Sequence, residues 1–462
     1  MKIKYTSTIN SIMKAIDGDL LFGYPDQKIS TITSDSREID KSNLFIPLIG
    51  EKYNGHLFIE ELAKKKNIVG FLTIREEDRK IAEENNTSAI LCGNTLHALG
   101  RIALHHRNSI APTVIGITGT NGKTTTKELL YSILENRFNC HKNKKNYNNE
   151  IGVPFTVLGL KKKHEIAIIE MGMNHSGELD RLSEITRPDI SIITNVGVGH
   201  LQYLKSIENI SKAKSEIMNG MKSGSRIFLN RDTQCYNILH DIASSRDLKI
   251  TTFGLSTCSD IKPEWYKLDH NKIEIKLMNE IYEIPLYGVH NVYNVVGAIA
   301  IAKEFGMENK QIKVALKNFI NVDMRSQLIE KDFTIINDVY NSNPLSSKYA
   351  LLSANEIFPD RRKIAVLSDM NELGEYSESY HQEIGQLIFK HGFDILCTWG
   401  EMAKDIAKGA KNAGMKEKNI ASFTDKNDLI DFILDNLTKN DVILIKGSRS
   451  MNMEEVVDAI IH

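Results

Sequence analysis

Cysteine is scarce and scattered: the five residues Cys92, Cys140, Cys235, Cys258 and Cys397 never form a C-x-x-C pair. An odd number without metal-type spacing argues against both a disulfide framework and a zinc site, and leaves reduced packing residues. Long apolar runs are missing as well, since no stretch approaches the roughly 18 residues of a membrane-spanning helix. The chain opens Met-Lys-Ile-Lys and reaches Asp17 and Asp19 without the apolar core of a secretory signal. A soluble, cytoplasmic protein with no membrane span is expected. Excess charge of either sign is also absent, with 58 Lys and Arg against 59 Asp and Glu and a net charge of −1. No global field holds nucleic acid by counterion release, so any anionic ligand must be bound locally.

What remains is ordinary folded-protein composition, 41% hydrophobic and 25% charged over 462 residues, enough for about three domains at roughly 150 residues each. Short apolar runs at Leu44 to Leu48, Ile68 to Leu72 and Ala89 to Leu91, then a helical stretch Thr95 to His106, predict a small α/β domain over 1–109 ending near Ala111-Pro112. From Thr113, strand-like runs at Ile166 to Glu170, Ile190 to Asn195, Arg226 to Asn230 and Ile250 to Phe253 alternate with helical patterns. That alternation predicts a parallel sheet wound with helices over 110–322. Strict alternation in Lys272 to Leu277 and Ile281 to Leu286, with a turn at Asp269-His270-Asn271, predicts an antiparallel ribbon at its edge. A third α/β block, 323–462, has strand candidates at Thr334 to Asn337, Lys363 to Leu367, Asp394 to Thr398 and Asp441 to Ile445.

The junction of the run Thr113 to Thr118 with the helical pattern of Leu129, Leu130, Ile133 and Leu134 carries Gly116-Ile-Thr-Gly119-Thr120-Asn121-Gly122-Lys123-Thr124-Thr125. Glycines let successive N–H groups face a polyanion, the helix adds its positive end, Lys123 reaches the β- and γ-phosphates, and Thr124 offers a hydroxyl to Mg²⁺. The strict pattern wants glycine where this chain has Ile117, with Gly116 one residue earlier. Strand before and helix after are nonetheless the context the motif demands, and ATP is the expected ligand.

Glu170 ends an apolar run and is expected at the carboxyl edge of the sheet, where α/β proteins bind ligands. It reads either as a solvated acid or as a Mg²⁺ ligand. His200 follows Val196-Gly-Val-Gly199 just past the next strand, where a lone histidine is commonly structural. Lys214, on a helical segment, reads from composition as a surface lysine.

Together these segments resemble the Mur ligases, the ATP-dependent amide-forming enzymes of peptidoglycan synthesis, along nearly the whole chain. The likeness lies in Thr33-Ser-Asp-Ser36-Arg37, the phosphate loop, Asn146 to Pro154, Glu170-Met-Gly-Met-Asn-His175, Asn195 to His200, Ala213-Lys-Ser-Glu216 and His290-Asn-Val-Tyr-Asn294. It continues through Asp338 to Pro344, Asp369-Met-Asn-Glu-Leu-Gly374 and Lys446-Gly-Ser-Arg449-Ser-Met. The Tyr340 to Pro344 and Lys446 to Met451 stretches look like the branch that joins D-alanyl-D-alanine to UDP-N-acetylmuramoyl-tripeptide, and the Asp-Asn-Pro-Arg signature of the sister adding the third residue is absent. Asp35-Ser36-Arg37 weighs against a folate-polyglutamylating relative.

The resemblance implies an α/β protein of three domains: a small N-terminal domain for the UDP substrate, a central ATPase-like parallel sheet, and a Rossmann-like C-terminal domain that closes on ATP and takes the dipeptide. It implies a monomeric ATP-dependent ligase using ATP and Mg²⁺, two ions in all. Thr124 and Glu170 are implied for one Mg²⁺, and Glu170, His200 and a carbamylated Lys214 for the second. It further implies His290, Asn291 and Asn294 near adenine, Arg325 on the phosphates, Asp338 near the ribose, and Ser36 and Arg37 on the UDP substrate. Ser42-Asn43 stands where the family has Gly-Asp, Asn54 where it has Asp, and Gly199 where alanine is usual. These departures bear on the uridine pocket and leave the ATP site intact. The remaining reading, of a different class, is a phosphate-loop regulator that binds ATP without synthesis.

Overall fold

The structure is a computed structural model describing residues 1–39, 43–50, 52–270 and 272–461. Ser42 and Asn271, which entered the sequence reading, lie outside the described residues. Four sheets organise the described residues. The first has strand order Lys2–Thr8, Lys28–Thr33, Asn43–Phe45, Ile68–Thr73, Ser88–Leu91, Asp19–Phe22, parallel within and antiparallel at both edges. Both edge strands and Lys28–Thr33 escaped the sequence reading: polar residues interrupt Lys2–Thr8 and Lys28–Thr33, and Asp19–Phe22 is only four residues long. Helix Thr95–Ile110 then runs one turn further than expected. It ends at Ala111, which takes the left-handed conformation (φ 52°) just before Pro112.

The central sheet is all parallel, in the order Lys249–Phe253, Arg226–Asn230, Ile190–Ile193, Thr113–Thr118, Ile166–Glu170, Cys140–Lys142. Thr113–Thr118 lies in the middle, with later strands added first on one side and then on the other. That order makes it the switch point, where a crevice opens at the carboxyl ends. Ile166–Glu170 is buried along its whole length, as a strand covered on both faces must be. Register aligns Ile117 with Glu170 and Thr118 with Ile193, so three strand ends stop level. Helix Lys123–Leu134 buries Leu129, Leu130, Ile133 and Leu134 and packs on helix Val289–Glu304, which is apolar nearly all round.

The expected edge ribbon proves to be a sheet of its own, Trp265–Leu268, Ile273–Leu277 and Glu280–Ile284, all antiparallel. Its buried face, Ile273, Ile275, Tyr282 and Ile284, joins the core around helices Val289–Glu304 and Asn309–Lys317. Alternation identified the strands but could not say what their apolar face would meet. The last sheet runs Gln327–Glu330, Thr334–Asp338, Val442–Lys446, Lys363–Ser368, Ile395–Trp399, Ile420–Phe423 and is parallel except for its first strand. Gln327–Glu330 and Ile420–Phe423 are edge strands only partly buried, too weakly patterned to be read in advance. None of the described helices is long and apolar enough to cross a membrane.

Candidate active site

The carboxyl ends of the central and C-terminal sheets face one cleft of about 340 Å³. Its floor is the turn from Thr118 to Lys123. Gly119 (φ 153°) and Gly122 (φ 80°) hold conformations other residues rarely adopt. A Cβ on the first would collide with Thr194 Oγ1, and on the second with the side-chain oxygen of Asn294. The neighbouring strand end clamps the turn. Asn121 N–H donates to Asn195 Oδ1 (2.9 Å), Asn195 Nδ2 donates back to Asn121 O (3.0 Å), and Thr120 N–H donates to Asn195 O (3.0 Å). Thr120 Oγ1 bridges to Gly197 through its carbonyl and its N–H.

Lys123 Nζ folds back on the carbonyls of Gly119 (2.8 Å) and Thr120 (3.1 Å). Burial, with Glu170 opposing and Arg325 assisting, pushes its ammonium down to about 8. Glu170 is 2% exposed, which overturns the solvated reading. It accepts from Thr124 Oγ1 (3.0 Å) and Asn148 Nδ2 (2.8 Å) and pairs with Lys127 Nζ at 3.4 Å. Burial works to raise the Glu170 carboxyl; Lys127, Lys123 and Arg325 outweigh it and hold the group below its ordinary value. Asn143 fixes the same residue by its backbone, accepting from Glu170 N (2.7 Å) and donating to Glu170 O (3.0 Å).

His200 reaches the cleft from a left-handed residue (φ 60°) that starts helix Leu201–Leu204. Lys214 is 2% exposed, not on the surface as composition suggested, and its Nζ makes no hydrogen bond or ion pair among the described residues. Burial, with Lys123 nearby, drives its ammonium well below the ordinary value, toward the neutral amine.

The upper walls come from helix Val289–Glu304 and the C-terminal sheet. Asn291 Nδ2 donates to Tyr287 O (2.7 Å), Asn294 Nδ2 donates to Asn291 Oδ1 (2.9 Å), and Asn294 Oδ1 accepts from Thr126 Oγ1 (3.4 Å) on the helix that follows the phosphate loop. His290 meets Ser326 Oγ at 3.3 Å, and burial pushes its imidazole down to about 4. Arg325 lies 3.8 Å from the centre of the Tyr340 ring, its Nε buried without a partner. Asp338 accepts from Ser326 N–H (2.9 Å) and pairs with the buried Lys446, its cross-strand neighbour. Gly119 to Thr125, Glu170, His200, Lys214, His290, Asn291, Asn294, Arg325 and Asp338 therefore all line one cleft. Ser36 and Arg37 line a separate cleft of about 300 Å³ in the N-terminal domain, where the exposed Arg37 is tied to Asp35 (2.9 Å).

Lys127 escaped sequence reasoning, and Asn148 and Lys446 stood within segments that carried the resemblance but were given no role. Lys127 follows Lys123 by one helical turn, which was a legible signal. The partners of Asn148 and Lys446 sit on other strands, which no local pattern reports. Among the described residues no group of three His, Cys, Asp or Glu is arranged to hold a metal unaided. Thr124 and Glu170 nevertheless suit a hard cation that draws its other ligands from phosphate and water.

A central parallel sheet with a phosphate loop at its switch point, faced by a second α/β sheet across the cleft, defines a phosphate-loop nucleotide-binding protein with a capping domain. Residues 117–302 match the Mur ligase middle domain and 324–449 the Mur ligase, glutamate ligase domain. Across 98% of both chains it is 35% identical to the UDP-N-acetylmuramoyl-tripeptide–D-alanyl-D-alanine ligase of Bacillus subtilis. Its fold matches MurF from Acinetobacter baumannii with TM-score 0.90 at 26% identity, covering 99% of this chain and 100% of that one. MurF of Thermotoga maritima, solved with ADP, matches with TM-score 0.81 at 24% identity over 93% and 96%. The chain belongs to the Mur ligase family.

Proposed function

We propose that this chain joins D-alanyl-D-alanine to the terminal carboxylate of UDP-N-acetylmuramoyl-tripeptide, with ATP converted to ADP and phosphate. The convergence of Lys123, Glu170, His200, Lys214 and Arg325 on one cleft carries the reading, and the full-length likeness to the Bacillus subtilis ligase supplies the substrates. A carboxylate has no leaving group an amine can displace at neutral pH. Its oxygen therefore attacks the γ-phosphorus, ADP departs, and an acyl phosphate forms. The dipeptide amine then attacks the carbonyl carbon, loses a proton, and expels phosphate from the tetrahedral intermediate.

The protein positions the reactants and neutralises their charge. The loop N–H groups from Gly119 to Thr125 receive the phosphates, and Lys123 swings from the Gly119 and Thr120 carbonyls onto them. Arg325, with its unpartnered Nε, meets the same phosphates from the C-terminal side. His290 and Asp338 flank the nucleoside. Thr124 and Glu170 would hold one Mg²⁺, and Glu170, His200 and a carbamylated Lys214 a second. The buried Lys214 amine fits carbamylation because burial, with Lys123 nearby, favours its neutral, nucleophilic form. Bound there, Mg²⁺ supplies positive charge that offsets repulsion between carboxylate and phosphate. Ser36 and Arg37 belong to the uridine-nucleotide site.

The test is to incubate the protein with MgATP, D-alanyl-D-alanine and UDP-muramoyl tripeptides differing in their third residue, then weigh the products. A mass gain of one dipeptide, with phosphate release that depends on the amine, is expected. Slow hydrolysis indifferent to D-alanyl-D-alanine would sink the reading in favour of an ATP-binding regulator. A mass increment of one carbamate on the peptide holding Lys214 tests the second ion site independently.

A further inference from the structure

The C-terminal domain sends one acid back to the central cleft. Glu372 lies in the loop after strand Lys363–Ser368, and its Oε2 stands 2.5 Å from His200 Nδ1. Both residues hold the left-handed backbone, φ 65° and 60°, which side-chain-bearing residues rarely adopt. Two unusual conformations meeting at one contact indicate a built seam.

The main chain closes the same seam. Gln202 N–H donates to Glu372 O at 2.9 Å. Gly374, also left-handed at φ 60°, lies so close that a Cβ there would come 3.2 Å from Gln202 Cα. His200 Nδ1 is buried and makes no aligned hydrogen bond, yet the Glu372 carboxylate stands 2.5 Å from it. The main-chain contacts of the seam hold the two side chains at that distance.

An imidazole has two nitrogens, and what holds one decides what the other can do. A carboxylate on Nδ1 fixes the tautomer and the plane of the ring, leaving Nε2 as the nitrogen offered to a ligand and making it more basic. We propose that Glu372 is a positioning residue: it seats His200 when the C-terminal domain is docked, so the histidine takes its working orientation only in the docked arrangement. This rests on the reading that His200 serves phosphoryl transfer. It gives the capping domain a part in assembling the central half of the site, beyond covering it.

The experiment compares Glu372→Ala, Glu372→Gln, His200→Ala and the double alanine variant by amine-dependent phosphate release, alongside small-angle X-ray scattering of each nucleotide-free protein. Glu372→Ala is expected to lower kcat about 10- to 100-fold with the KM for ATP unchanged. Glu372→Gln, whose side-chain oxygen still accepts from Nδ1–H, is expected to recover most of that loss. Scattering matches the wild type in every variant, and the double variant is no slower than His200→Ala alone.

Multiplying losses, a KM for ATP that rises in step, or an expanded scattering profile for Glu372→Ala each overturns the proposal, the last by making Glu372 a domain latch. A crippled His200→Ala beside an unaffected Glu372→Ala overturns the proposal and leaves the function standing. Full turnover in His200→Ala removes the histidine's assigned role and the proposal with it.

Discussion

On the central side of the cleft the groups around the phosphate loop and Glu170 have partners before any ligand arrives, while Lys214 Nζ, His200 Nδ1 and His290 Nδ1 form no hydrogen bond among the described residues. Asn121 is clamped by Asn195, Glu170 is held by Thr124, Asn148 and Lys127, and Lys123 is parked on two carbonyls. The C-terminal side is different. Arg325 Nε is buried without a partner, and the segment around it holds Met324 and Ser326 in left-handed conformations (φ 62° and 46°). One wall is preorganised, and the other carries unmet hydrogen-bonding capacity and backbone strain that a bound nucleotide would relieve. Electrostatic catalysis needs the first to be rigid, and domain closure needs the second to gain from binding.

Lys123→Ala attacks the rigid wall most directly. Turnover is expected to fall by at least about 10²-fold, the scale for losing one charge-stabilising group; retained activity would remove the phosphate-loop assignment. Lys127→Met leaves the Glu170 carboxylate buried without its cation, and breaking such a pair costs about 3 kcal/mol or more. Denaturant unfolding of the nucleotide-free protein reads that loss. A midpoint unchanged from wild type would show that Lys127 is incidental.

The pH dependence of nucleotide binding sharpens the contrast next. Lys123 titrates at about 8 in the ligand-free protein because burial opposes its charge. Bound polyphosphate favours the ammonium, so binding takes up a proton once the pH exceeds that value. ADP affinity, measured by calorimetry, is therefore flat below pH 8 and falls above it by at most about tenfold per unit. Lys123→Ala abolishes that slope while weakening binding throughout.

The smallest effect belongs to the bridge between the walls. Asn121 and Asn343 exchange side-chain amide bonds, at 3.3 and 2.8 Å, across the cleft. Asn343→Ala is expected to weaken docking by about 1 kcal/mol, the net worth of a typical hydrogen bond. Scattering of the nucleotide-free protein would show the more open form gaining population, with saturating ATP restoring the docked one.

Legibility in the sequence followed the same division. The phosphate loop was readable because its chemistry is local: strand, glycines, lysine, threonine and helix are consecutive. Glu170 could be placed at a strand end, but its burial and its lysine partner depended on helix Lys123–Leu134, far upstream in the chain. Lys214 looked like any surface lysine, since a helix of nine residues with Lys212 and Lys214 in its last turn gives no sign of which one points inward. The central strands were legible because both faces are apolar. Edge strands such as Cys140–Lys142 and Ile420–Phe423, partly polar and short, were not. Family resemblance brought Arg325, Asp338 and the histidines together on paper, and what it left out was their mutual support.

The buried Lys127 has a consequence for the resting protein. With neither a metal ion nor Lys127, Glu170 would have only Lys123 and Arg325 to offset its burial, and the strand end would tend to rearrange or take up a proton. A resident cation built into the helix removes that pressure, so the empty chamber keeps its shape between cycles and an arriving nucleotide meets a finished mould.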